Sequence, residues 1–398
     1  MASPPDPRPA ARDLRLLAAG IGVSAAGDTA ALIALLLRLR PDGSGWVAAL
    51  LAAQLIPTVL LAPVVGALVD RFETRRVLLV AVVGQALAAI PLAFVGGPVP
   101  TIALFLVVGI CNAAVRPATN ALVPAVVGED RATHGYARVA LGQNLGWIVG
   151  PAAGGTLTGA FGTGTALLVD AATFAALAVA CFLIAARRPP HVAEEGTAGA
   201  RRGQARLGFR VLWDDRVLRV VLLVSAISVA CAVLDNVAAP FRFVDQLGTS
   251  STGYGIYLTL WGVGALVGSQ LPPRIPPAHE RFVPAAGNLL CSLGIAAIGV
   301  APTLGLAFLA SAAGGIGNGL ANVSQNTLVG RRVPEHQRGR AFAANGAVMQ
   351  AGTGTGTAAA GPVVALLGAG VAMALCGGLG ALAAAVGMVA LRRDADAE

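Results

Sequence analysis

Apolar residues run on for about two dozen positions at a time along this chain, and polar clusters interrupt them at nearly even intervals. Twelve such stretches follow one another, at approximately 14–37, 46–69, 76–96, 100–123, 136–160, 163–186, 217–241, 253–271, 282–301, 303–328, 341–367 and 369–391. A helix needs roughly 20 apolar residues to cross about 30 Å of hydrocarbon. Each stretch therefore predicts one transmembrane helix. One connection is far longer and more polar than the others: "RRPPHVAEEGTAGARRGQARLGFRVLWDD", from Arg187 to Asp215. It divides the chain into a six-helix bundle (1–186), a cytoplasmic linker (187–215) and a second six-helix bundle (216–398). The end of the linker, "LGFRVLWDDRVL", predicts a short amphipathic helix that offers Phe209, Leu212 and Trp213 to the membrane interface.

The two halves repeat. At an offset of 206, "GICNAAVRPATNALVP" from Gly109 lies over "GIGNGLANVSQNTLVG" from Gly315, and Gly146, Gly150 and Gly155 lie over Gly352, Gly356 and Gly361. The predicted fold is an all-α membrane protein with twelve transmembrane helices in two pseudo-symmetric six-helix bundles. Repeats of this kind build secondary transporters, in which two bundles rock around a central site.

Composition narrows the class further. Hydrophobic residues make up 56% of the 398 and charged residues 12%, about half the roughly 25% usual in soluble domains. A large soluble helical protein would need far more polar surface. All 28 basic residues are arginine. When the stretches are threaded to and fro, all but Arg38, Arg40, Arg242 and the embedded Arg116 fall on one side. The positive-inside rule makes that side, and both termini, cytoplasmic. The expected location is the inner (plasma) membrane, with the chain passing many times as a monomer among lipids. The net charge of +8 then reports topology and contact with anionic lipid, not nucleic acid. The first stretch is too long for a signal peptide and lacks a small-residue cleavage site.

Several chemistries are excluded. The five cysteines stand singly in apolar stretches, where packing is their expected role, and the four histidines have no metal-ligand spacing. No metal and no cofactor is expected. "GTGTGT" at 352–357 lies in an apolar stretch with no preceding strand, and a chain without lysine forms neither a Walker A loop nor a Schiff base. An ion gradient, the proton gradient in particular, is the remaining energy source, and no enzymatic set converges in the loops.

Embedded polar residues are the functional candidates. Asn112, Arg116 and Asn120 recur every four residues in the fourth stretch and form one stripe; Asn318, Asn322 and Asn326 do so in the tenth. Asp28 in the first stretch and Asp235 in the seventh are 207 apart. Asp28, Arg116 and Asp235 are therefore expected to share one water-filled chamber at the midplane, with the five asparagines lining the substrate cavity. Asp170, early in the sixth stretch, is expected to be structural or near the outer mouth.

Two motifs carry a family resemblance. "GALVDRFETRR", with Gly66, Asp70, Arg71, Arg75 and Arg76, resembles the G-x-L-x-D-R-x-G-R-R/K signature of the major facilitator superfamily, although Glu73 stands at its second glycine and Thr74 at the next basic position. The second-half counterpart, "GSQLPPRIPP", has no acid. "GWIVGPAAGG", with Gly146, Gly150, Pro151, Gly154 and Gly155, is similar to the antiporter motif of that superfamily's drug:proton exchangers. "GDTAALIALLL", "VDAATF" and "LGFRVLWDDRVLR" look like the bacterial branch of macrolide-efflux and enterobactin-export proteins. The resemblance implies a cytoplasmic gate in which Asp70 approaches the start of the eleventh helix, around Arg340. It also implies proton-coupled efflux of a small organic compound, a drug, antibiotic or siderophore-like molecule, with drug resistance as the outcome. Import or uniport of a metabolite on the same scaffold, and a non-transporting membrane sensor, are the competing readings.

Overall fold

The computed structural model describes residues 7–187 and 207–395, and within them the regular structure is helical throughout. The first half contains α1 (Pro7–Leu39), α2 (Ser44–Leu60), α3 (Ala62–Arg71), α4 (Thr74–Leu92), α5 (Pro98–Val127), α6 (Ala132–Phe161) and α7 (Thr163–Leu183). The short α8 covers residues 207–214. The second half contains α9 (Arg216–Pro240), α10 (Ser251–Ser269), α11 (Val283–Val300), α12 (Leu304–Arg332), α13 (Glu335–Leu367) and α14 (Ala369–Ala395). A helix thus occupies each of the twelve predicted stretches, with the second divided between α2 and α3. That division follows Pro57 at Leu61, and the two helices bend by 57°. Among the described residues eight helices are long and apolar enough to cross a membrane by themselves, nine if the bent pair counts as one. The others, α6, α10 and α13, are diluted by Gly, Thr, Ser, Asn and Gln.

The chain forms two compact units, Met1–Glu194 with Ser250–Ile256, and Glu195–Thr249 with Tyr257–Glu398. In the first unit α1 packs on α6 and α7, and α4 packs on α5 and α7; in the second, α9 packs on α13 and α14, and α11 on α12 and α14. The internal repeat is therefore a repeat of packing. Side-chain chemistry repeats too. Arg38 ends α1 and donates to Leu92 O (2.9 Å) at the end of α4. Arg242, just after α9, donates to Ile298 O (3.0 Å) near the end of α11 and to Ala301 O (2.6 Å). A cation at a helix C-terminus satisfies carbonyls that have no partner within the helix and opposes the negative end of the helix dipole. Two of the arginines outside the arginine-rich side thus serve as matching caps. Gly162 and Gly368 also correspond. Each turns its chain into the next helix at positive φ (83° and 75°), a backbone that L side chains rarely adopt.

Leu212 departs from the interfacial prediction. Phe209 and Trp213 are exposed and stacked at 5.3 Å, but Leu212 is only 1% exposed and joins a core with Leu218, Leu328 and Val333 of the second unit. Gly208 faces the Arg340 carbonyl so closely that α8 is docked against α13. The linker residues 188–206 lie outside the described residues.

Candidate functional site

Glycine spacing fixes the position of α1. Gly142, Gly146, Gly150 and Gly154 recur every four residues on one face of α6, opposite Ala18, Gly22, Ala26 and Ala30 of α1. A Cβ at Gly150 would sit 2.7 Å from Ala26 O, and one at Gly154 2.6 Å from Ala30 O. Real side chains do not fit at that range, so the stripe sets backbone-to-backbone approach. Gly352 and Gly356 of α13 meet Ala226 and Ala230 of α9 in the same manner. Gly155 points elsewhere, toward Ser251 and Gly255 within the first unit. Gly109 of α5 and its counterpart Gly315 of α12 also share a task. They lie against the backbone of Ala53 in α2 and of Trp261 in α10.

With α6 covering one side of α1, Asp28 lies on another. It lines a cavity of about 10 Å³ with Gln54 of α2, Phe105 and Asn112 of α5, and Asp170 of α7. That volume is about the minimum for one water. Asp170 shares this cavity, which Leu92 at the end of α4 also lines, and is 4% exposed. Thr173 Oγ1 donates to Asp170 O (2.8 Å) and lies 3.4 Å from its Oδ1. No arginine lines the cavity.

Asp28 and Arg116 belong to the first unit and Asp235 to the second. Arg116 does not line the Asp28 cavity and, like Asn120, is exposed on its unit. Successive members of a four-residue stripe advance 40° beyond full turns, so Asn112 faces inward while the later two turn out. Asp235 is 5% exposed inside the second unit; Tyr257 Oη donates to its Oδ2, while its Oδ1 is buried without a hydrogen-bond partner. Phe243 stacks on the Tyr257 ring (4.2 Å between centroids), and Ser311 Oγ donates to Tyr257 O (2.9 Å). On α12, Asn322 donates to Asn318 O (3.0 Å) and Oδ1 (2.6 Å), and Asn322 and Asn326 are exposed. The sequence reading missed the buried pair Gln325–Asn345 (2.7 Å) and the Asn288–Ser225 bond (3.0 Å). The three amides stand in α11 (Asn288), α12 (Gln325) and α13 (Asn345), and each was findable as a polar residue inside a predicted stretch.

The predicted gate residues are divided by geometry. Glu73, at the signature's second glycine, precedes α4 with φ −56°, so the turn needs no glycine. It gathers Arg76 (2.8 Å), Arg75 (3.6 Å) and Arg187 (3.9 Å). Arg75 also donates to Ile184 O (2.7 Å), capping α7, and Thr74 is buried as the first residue of α4. Asp70 makes no ion pair among the described residues. It lines a separate cleft of about 650 Å³ with Gly66, Asn120, Glu129 and Tyr136, and Tyr136 Oη donates to Asn120 O (3.1 Å). Arg71 is exposed beside it.

Among the described residues no group of three or more His, Cys, Asp or Glu side chains is placed to hold a metal. Similarity to known proteins agrees with the helix architecture. The chain is 28% identical over 358 residues to the multidrug efflux pump Tap of Mycobacterium tuberculosis, covering 86% of this chain and 84% of that one. It is 29% identical over 287 residues to the class C tetracycline resistance protein of Escherichia coli, covering 67% and 68%. In fold it resembles the crystal structure of the nucleoside transporter NupG (TM-score 0.76, 15% identity, covering 95% and 99%). It also resembles an inward-facing bacterial homologue of the human lysosomal transporter Spinster (TM-score 0.75, 14% identity, covering 98% of each). The Major Facilitator Superfamily model matches residues 17–347 and 279–398, and the chain is a member of that superfamily, a membrane transporter and not an enzyme.

Proposed function

We propose that this transporter exports a small, largely apolar organic compound by alternating access, in exchange for protons. The observation that carries the coupling half of this reading is the cavity in which Asp28 and Asp170 meet without a cation. An ionised carboxylate inside an apolar bundle is costly unless something compensates it. Asp28 is the proton carrier in this reading, and Asp170 shares the proton with it. Gln54 and Asn112 hold the single water through which the proton passes to and from Asp28. Asp235 serves the second unit through Tyr257, as a locked acid that moves with α9 and α10. Export, rather than import or uniport, is supported by two relatives whose names are those of an efflux pump and a resistance protein.

The exposed polar stripes supply substrate contacts. Arg116 and Asn120 on α5, with Asn318, Asn322 and Asn326 on α12, offer hydrogen bonds without a demand for one partner shape, which suits varied apolar compounds. Asp70, Arg71 and Gly66 form the cytoplasmic gate, with Arg75 and Arg76 held in place by Glu73. The protein sits in the plasma membrane as a monomer with both termini in the cytoplasm. Direction is tested with inverted vesicles carrying the protein and an imposed proton gradient, acid inside. Accumulation of a fluorescent apolar cation inside them, collapsed by a protonophore, is the expected result. Accumulation that survives the protonophore, or depletion, contradicts proton-driven export.

A further inference from the structure

A second feature of the first unit lies on its arginine-rich side, where α1 begins and α5 gives way to α6. A cleft of about 370 Å³ is lined there by Arg15, Arg131, His134 and Arg138, over the apolar Leu14 and Val127. None of the four basic side chains makes a hydrogen bond or ion pair among the described residues. Other arginines on the same predicted side are paired: Arg76 with Glu73 (2.8 Å), Arg331 with Glu280 (2.7 Å), and Arg332 with Asp215 (3.0 Å). Three permanent cations around one cleft repel one another, and no acid is among the residues that line it. The first turn of α6, which starts at Ala132, adds the positive end of a 30-residue helix.

We propose that this cleft binds the phosphate headgroup of an anionic phospholipid from the arginine-rich leaflet. Arg15 and Arg138 stand where the apolar runs of α1 and α6 begin. The space exceeds what a bare phosphate fills, and the Leu14 and Val127 floor suits the glycerol and first methylenes. Basic pockets at the cytoplasmic ends of transmembrane helices take headgroups in this way. The proposal is independent of transport direction and of the coupling acids.

The full chain is purified in mild detergent and presented with phosphatidylglycerol, phosphatidylcholine or inorganic phosphate, and bound lipid is read by native mass spectrometry. The wild type is expected to retain one phosphatidylglycerol in preference to phosphatidylcholine. Combined Arg15→Gln, Arg131→Gln and Arg138→Gln substitution weakens retention on the order of a hundredfold, about fivefold for each arginine near an anionic headgroup. Single Arg15→Gln and Arg138→Gln variants carry the test if the triple variant folds poorly. Removal of equal charge elsewhere, by Arg210→Gln, Arg331→Gln and Arg392→Gln, changes retention less than about threefold. Equal losses in both triple variants, or equal retention of phosphatidylcholine, overturn the site. Displacement of the lipid by millimolar inorganic phosphate overturns the lipid and makes a free anion the ligand.

Discussion

Asp28 and Asp170 show how much one side chain's setting decides. Both are acids in apolar helices, and they line one cavity from α1 and α7. Replacing either with Asn removes the exchangeable proton with little change in volume. Transport driven by a proton gradient is expected to fall at least tenfold in Asp28→Asn, with downhill substrate movement retained, as read by counterflow in proteoliposomes. Asp235 behaves differently because Tyr257 already occupies it. Tyr257→Phe strands a buried carboxyl oxygen, at a cost of about 1–3 kcal/mol. Combined with Asp235→Asn it is expected to cost less than the sum of the single changes, a coupling that thermal unfolding in detergent measures. Every one of these acids was visible in the sequence as a charge in an apolar run. Which of them meet was not, since two helices far apart in the chain, α1 and α7, supply the partners and no local pattern encodes their rotation.

At the level of elements, glycine position carries more than glycine content. Gly354 and Gly356 lie two residues apart in α13, within "GTGTGT". A Cβ at Gly354 meets nothing within 4 Å, whereas one at Gly356 collides with the Ala230 backbone of α9. Gly354→Ala is therefore expected to stabilise by about 0.5–1 kcal/mol through helix propensity, and Gly356→Ala to destabilise by about 1–3 kcal/mol through overpacking. Opposite shifts in the unfolding midpoint are the check. The antiporter-type motif was legible for the same physical reason, since small residues every fourth position specify close helix approach. Its division of labour was not: Gly146, Gly150 and Gly154 serve α1, while Gly155 faces Ser251 and Gly255. The amphipathic pattern of α8 specifies a helix but not the setting of Leu212, because periodicity marks an apolar face without saying whether protein or lipid covers it.

Across the whole molecule, the duplication was the most legible feature, because the succession of apolar runs and the glycines matched at an offset of 206 each encode it. The capping pair Arg38 and Arg242 extends it to contacts that no motif announces. Sidedness yields its own prediction. In a background freed of the five native cysteines, Asp42→Cys, before α2, is expected to react with an impermeant maleimide from outside intact cells. Thr133→Cys, at the start of α6, is expected to react only after the cells are opened. The reverse pattern would invert the topology.

The central claim is that the carboxyls lining the α1–α7 cavity carry the coupled proton. Substrate-induced proton movement, recorded with a pH dye trapped in proteoliposomes, tests it most directly. Wild-type protein and Asp235→Asn are expected to show a proton signal on adding substrate, and Asp28→Asn combined with Asp170→Asn to show none while still binding substrate. An undiminished signal from that double variant would contradict the account.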